Sequence, residues 1–334
     1  MSRPRRLTSV DVAREAGVSR ATVSYVLNDT PNQRIPEATR QRVWEAVARL
    51  GYTPSANARS LRSGRSEIVL WLLPDWPIGR MLGSVLEAIA LALAEQGLIL
   101  VAHPRAGNRR PIAEVWRAIS PAVVLLWGPL SEADEASLRA AGVRATVALM
   151  DSSGASETQG LVVSEQRTGR LQAEHLAARG HRRIGYAYPD DRRVFSFAEP
   201  RLTGVRTACA ELGLDAPDVV TVGLDRDSGE AAVDHWISGP DPVTAVCAYN
   251  DETALAVLAG LRVRGLRAPD DLAVIGVDDL PISALYDPPL STVVVDAQRL
   301  ARYVVAAVLA GLADEPAPPF PSSDLINIVA RASA

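Results

Sequence analysis

The chain has 334 residues, 48% of them hydrophobic, enough for a small domain plus two lobes with cores of their own, which excludes a disordered tail. Two isolated cysteines speak against a disulfide framework or a cysteine zinc site. No run approaches the roughly 18 uninterrupted apolar residues of a membrane span, and none follows the basic N-terminus as in an export signal, so a reduced, cytoplasmic protein without membrane contact is expected. The formal net charge of −4 is unevenly spread, with twelve Arg against five acids in residues 1–65 and 23 against 34 thereafter, as expected if only the head meets a polyanion.

In chain order, Thr8 followed three residues later by Asp11 suits a capping box for a first helix with Val12, Ala13 and Ala16 inward. Gly17 ends that helix, because glycine tolerates the left-handed conformation common just past a helix. Val18 plugs the corner, and Ser19 caps a second helix over residues 20–27. This helix turns Val23, Val26 and Leu27 inward and leaves Arg20, Ala21, Thr22, Ser24 and Tyr25 outward. Pro36 suits the first turn of a third helix carrying Val43, Ala46, Val47 and Leu50, which Gly51 stops. Three short helices around one small core make a helix-turn-helix head, residues 1–52.

The stretch YTPSANARSLRSG, residues 52–64, predicts a two-turn helix from Pro54 that is too short to stand alone in water. Basic and bearing Leu61, it suits a hinge, residues 53–65, that orders only against DNA and a symmetry mate, with an apolar wedge in the minor groove. A plain interdomain linker is the alternative for this segment.

DVAREAGVSRATVSYVLN (residues 11–28) and RIPEATRQRVWEAVARLGYTPSANARSLRSG (residues 34–64) resemble the head and hinge of LacI/GalR transcriptional regulators. The resemblance implies that helix 20–27 is the recognition helix, with Arg20, Ala21 and Tyr25 at base-reading positions. It implies phosphate contacts for Ser19, Thr22, Ser24 and Asn28, and DNA contacts from the hinge residues Asn57, Arg59 and Leu61, paired Leu61 residues kinking the operator centre. Arg20 could read guanine through two hydrogen bonds, whereas Ala21 offers only apolar contact, as with a thymine methyl.

From about residue 66 the chain alternates apolar runs with helical phrases. The runs EIVLWLL, LILVA, AVVLLW and ATVALM predict buried strands, with amphipathic segments such as 80–96 and 131–141 between them. A second series, RIGYAY, TAVCAY and LAVIGV, interleaves with helices near 166–179, 200–212, 227–237 and 251–264. Continuous apolar strands alternating with helices imply parallel sheets covered on both faces, and two series imply two lobes. The expected fold class is α/β, a helix-turn-helix head and hinge helix followed by a two-lobed body like a periplasmic binding protein. Lobe one is expected over about 66–163 and 296–323, and lobe two over about 164–295 and 324–334.

Open parallel sheets bind ligands at the carboxyl ends of their strands, which singles out Asp151, Asn250 with Asp251, and Asp278 with Asp279. Arg201 begins RLTGVRTA at a helix entry. The resemblance implies effector contacts from Asp151, Arg201, Asn250 and Asp278, a donor and acceptor set suited to a sugar or nucleoside. Helix capping is the expected role of Asp251 and Asp279. Three departures from the family are the non-aromatic Asp225, the shorter region after His103, and the stretch PDWPIGRML, where Asp75, Trp76 and Arg80 could replace the usual contacts.

No G-x-S-x-G elbow, Lys-ended phosphate loop or H-E-x-x-H motif occurs, and the four histidines lack metal-ligand spacing, so neither enzyme activity nor a cofactor is expected. A two-lobed solute receptor would have no use for the basic head. The stretch 286–312 resembles the crossover into the first lobe followed by an interface helix, and no heptad segment follows LINIVARASA. The expectation is therefore a homodimeric regulator, a repressor by resemblance, with operator DNA and a carbohydrate-like effector as partners.

Overall fold

The computed structural model describes residues 7–27, 33–52, 66–73, 76, 77, 79–104, 111–127, 130–148, 164–319 and 325–334. The hinge with Asn57, Arg59 and Leu61, and also Asn28, Asp75 and Asp151, lie outside the described residues. The chain divides into two compact units between Ser66 and Glu67.

The first unit holds α1 (Ser9–Ala16), α2 (Arg20–Leu27) and α3 (Glu37–Leu50). The Asp11 carboxylate accepts from both the backbone N–H and the hydroxyl of Thr8, at 2.9 and 2.7 Å, which opens α1. Gly17 and Gly51 close α1 and α3 at φ 65° and 62°, left-handed values that a side chain would strain. Val12, Ala13, Ala16, Val23, Val26, Val43 and Ala46 form the core that the helical spacing predicts.

In the second unit, β1 (Ile68–Leu73), β2 (Ile99–Pro104), β3 (Val123–Leu126) and β4 (Ala145–Ala148) form a parallel sheet in the order β2-β1-β3-β4. Its helices are α4 (Arg80–Ala94), α5 (Ile112–Ile119) and α6 (Glu132–Ala140). Successive strand residues point to opposite faces. Val69, Trp71 and Leu73 therefore pack with Val85 and Ile89 of α4, while Leu70 and Leu72 pack with Trp116 of α5 and Leu138 of α6. Both faces are covered, hence the unbroken apolar run in β1.

The second sheet runs β10-β9-β8-β7-β5-β6. Its strands are β5 (Ile184–Pro189), β6 (Asp218–Val222), β7 (Ala245–Ala248), β8 (Ala273–Val277), β9 (Ser291–Val295) and β10 (Ile326–Val329). All neighbours are parallel except β10, which is antiparallel to β9 and departs from the all-parallel expectation. Helices α7 (Glu165–Ala178) and α8 (Phe195–Glu211) cover one face, and α9 (Arg226–Ile237) and α10 (Asp251–Val263) the other. The short α11 (Pro281–Leu285) follows β8, and α12 (Ala297–Ala313) packs on α4 and β4 of the first sheet.

Glycines allow the closest helix contacts. A Cβ at Gly169 or Gly204 would run into the backbone carbonyl of Arg201 or Gln166, and one at Gly229 into that of Ala256. Backbone-to-backbone packing of α7 on α8 brings Arg201 beside the start of α7.

Candidate functional site

In the head, Ser19 Oγ accepts from the Thr22 N–H at 3.0 Å and lies 2.9 Å from Thr22 Oγ1, so the hydroxyl assigned to phosphate also caps α2. Ser19→Ala is expected to cost about 1 kcal/mol of local stability, read as lost hydrogen-exchange protection of the α2 amides. Protection that stays unchanged would show that the cap does not hold the helix. Arg20 and Ala21 are exposed and Thr22 and Tyr25 partly so. Ser24, expected outward, is buried at 9% exposure. It flanks the stripe of Val23, Val26 and Leu27 and is small enough to be covered there, so it is removed from the outward face.

In the second unit a cavity of about 380 Å³ opens at the carboxyl ends of both sheets. Trp76 follows β1, Trp127 follows β3, Asp190 follows β5, Tyr249 and Asn250 follow β7, and Asp278 follows β8. Asn250 and Asp278 thus stand at the cleft as expected, as do the alternates Trp76 and Arg80. Trp127, Phe197, Tyr249, Asp190 and Glu252 were not singled out. The same strand-end rule would have found Trp127 and Asp190, and helical spacing places Phe197 one turn before Arg201. Leu224 lines the cavity, while Asp225, which does not, caps α9 by accepting from the Ser228 N–H at 2.8 Å.

The aromatic rings form a chain across the cleft. Trp76 lies 4.8 Å from Trp127 and 4.2 Å from Phe197 between centroids, and Trp127 stacks on Trp71 at 5.7 Å. The buried indole N–H groups of Trp71 and Trp127 have no acceptor among the described residues.

Arg201, expected to face the ligand, does not line the cavity and is 4% exposed. Its Nε donates to Glu165 Oε2 at 2.5 Å, its Nη1 donates to the Tyr249 carbonyl at 2.8 Å, and its guanidinium lies 4.9 Å from the Tyr249 ring. A buried guanidinium needs such partners, and here they hold it behind the cleft wall.

Asp251 is not the cap of α10; Asn250 is, accepting from the Thr253 N–H at 2.9 Å. The buried Asp251 carboxylate instead accepts from the Leu280 N–H and from the hydroxyls of Ser283 and Thr292, clamping α11 and β9 to the end of β8. Burial pushes its carboxyl up, against those hydrogen bonds. Asp279 pairs with Arg331 at 2.6 Å rather than capping a helix. Gln172 donates to the carbonyls of Ala248, Ile275 and Gly276, closing the ends of β7 and β8.

This frame holds Asp278 at φ 108°, a costly value for a residue with a side chain. Burial pushes its carboxyl up to about 7; Arg201 opposes the shift, and Asp251, Glu165 and Glu252 reinforce it. Among the described residues no cluster of His, Cys, Asp and Glu could hold a metal ion, and no helix is long and apolar enough to cross a membrane.

Residues 9–55 match the bacterial regulatory proteins of the lacI family, and residues 173–334 match the periplasmic binding protein-like domain. The chain is 32% identical over 317 residues to the HTH-type transcriptional regulator GalR of Escherichia coli (strain K12), covering 93% of this chain and 91% of that protein. The fold is that of the lac repressor dimer bound to operator and the anti-inducer ONPF, with TM-score 0.77, 24% identity and coverage of 98% and 99%. The transcriptional regulator CelR–cellobiose complex is similar with TM-score 0.64, 27% identity and coverage of 98% and 100%. With a head that matches the family and a regulator aligned along nearly its whole length, the chain belongs to the lacI family of bacterial regulatory proteins, DNA-binding transcriptional regulators that are not enzymes.

Proposed function

We propose that the protein is a cytoplasmic homodimeric repressor that binds a near-palindromic operator and changes its affinity when a small polar effector occupies the cleft. The observation that carries the reading is the pairing of a basic head, whose α2 leaves Arg20 and Ala21 exposed, with an aromatic and polar cavity at the strand ends of the body. Arg20, Ala21 and Tyr25 read base edges, Ser19, Thr22 and Asn28 meet phosphates, and the hinge residues Asn57, Arg59 and Leu61 engage the operator centre. Asn250 and Asp278 contact the effector, as do Asp75 and Asp151 in this reading. Effectors are sugars or related metabolites in this reading, in keeping with the cellobiose held by the similar regulator. DNA and effector affinities are coupled reciprocally, by about 1–3 kcal/mol.

The test is selection of bound sequences from a randomised duplex pool with the full-length protein at fixed salt. A near-palindrome with two half-sites is expected to be enriched, and none enriched with or without candidate effectors would defeat the reading. On the selected operator, affinity is expected to fall steeply between about 50 and 200 mM salt as counterions are released. Arg20→Ala is expected to weaken binding by about 1–3 kcal/mol and relax selectivity at one base pair of each half-site. Equal weakening on all sequences would reassign Arg20 to phosphate.

A further inference from the structure

Among the described residues, the charges lining the cavity do not balance. Asp190, Glu252 and Asp278 all line it, and none has an ion pair among the described residues. Of the cations nearby, Arg193 donates to both oxygens of Asp191, its Nε to Oδ1 at 3.0 Å and its Nη2 to Oδ2 at 2.6 Å, and Arg201 pairs with Glu165 behind the wall, from where it offsets only part of the upward push on Asp278. Among the described residues that line the cavity, Arg80 is the cation without an ion pair, against three such carboxylates, and Asp225 adds to them, its carboxylate and that of Asp190 approaching the same glycine, Gly223.

The rest of the wall is apolar and aromatic, with Trp76, Trp127, Phe197 and Tyr249. A neutral hydroxylated ligand can donate hydrogen bonds to the carboxylates but cancels none of their charge, and an anion would add repulsion. A cation relieves the crowding of negative charge, and aromatic faces attract it further.

We propose that the effector carries a protonated amine on a body with a flat apolar face, the ammonium among Asp190, Glu252 and Asp278 and the body against Trp76 and Phe197. The assignment rests on the effector reading of the cleft and narrows it from polar metabolites in general to cationic ones. Binding of the cation favours ionised Asp278. Because that carboxyl titrates near neutrality, amine affinity rises with pH through this range, while a neutral ligand gains nothing.

The test is calorimetric titration of the full-length protein with two probe series, each keeping one body and changing only charge. One is phenethylamine, 2-phenylethanol and phenylacetate; the other is glucosamine, glucose and glucuronate. In at least one series the amine is expected to bind about tenfold or more tighter than its neutral partner, a gap of about 1.4 kcal/mol, with the acid not binding at millimolar concentration. The preference is expected to vanish in Asp190→Asn/Glu252→Gln, two exposed positions, and, for phenethylamine, whose simple alkylammonium stays protonated there, to grow from about pH 6 to 8 in the unaltered protein.

Absence of binding by both amines at millimolar concentration, or a neutral or acidic member binding as tightly as the amine in every series that binds, overturns the proposal. A neutral sugar that binds and shifts operator affinity removes the amine and leaves the effector cleft standing. Binding that survives Trp76→Ala and Asn250→Ala undiminished puts the ligand elsewhere and brings down both readings.

Discussion

Gly204→Ala is expected to destabilise the protein by about 3 kcal/mol. The added Cβ would collide with the Gln166 carbonyl on α7, and the obstacle is backbone within a helix, which cannot swing aside as a side chain would. Gly169 faces the Arg201 backbone in the same way, so neither helix has slack to give. A domain holds only about 5–15 kcal/mol in total, so this is a sizeable share of the margin. Denaturant unfolding of the purified variant reads the effect, and a loss below about 0.5 kcal/mol would mean that α7 and α8 can part without cost. Because that contact sets Arg201 beside Glu165, surviving Gly204→Ala protein is also expected to lose effector response.

Glu165→Ala is expected to cost about 3–5 kcal/mol, since it leaves the Arg201 guanidinium buried without its carboxylate. The Tyr249 carbonyl and ring remain, but neither neutralises the charge. Replacing both partners, as Glu165→Ala with Arg201→Met, is expected to recover most of the loss, because no charge is then stranded in a dry site. A double-mutant cycle by denaturant unfolding measures this directly. If the single variant costs under 1 kcal/mol, or the double variant is no better than the single, water reaches the pair and the wall behind the cleft is not a desolvated one.

The two substitutions also divide the cleft by role. Arg201 supports the wall through Tyr249, whereas Asp278, Asn250 and the aromatic rings line the cavity itself. Family resemblance alone puts Arg201 at the ligand; the burial of its guanidinium on Glu165 moves it behind.

Much of the head was legible in the chain because its signals are local. Thr8 with Asp11, Ser19 with Thr22, and the glycines at 17 and 51 each act within a few residues, so caps and boundaries follow from short words. Most inner strands were legible for a related reason: a strand buried on both faces has to be apolar throughout, as β1, β3 and β8 are, whereas the inner β9 is read from sequence only as part of the crossover. Edge strands lack that constraint. β6 reads DVVTV with alternate residues exposed, and nothing in it announces a strand before its pairing with β5 is known.

What only the tertiary structure decided is where long-range partners meet. Arg201 finds Glu165 across 36 residues and Tyr249 across 48, and no periodicity encodes those meetings. Ser24 is buried because of what covers it, and Asp251 clamps α11 and β9 because the ends of β8 and β9 converge on it. The sequence by itself determined the helices of the head, most inner strands and the family, since propensity, capping and burial on both faces act along the chain. The charge balance of the cleft and the division between wall and ligand surface come from packing, because a side chain's partners, and so its free valences, exist only once distant segments are brought together.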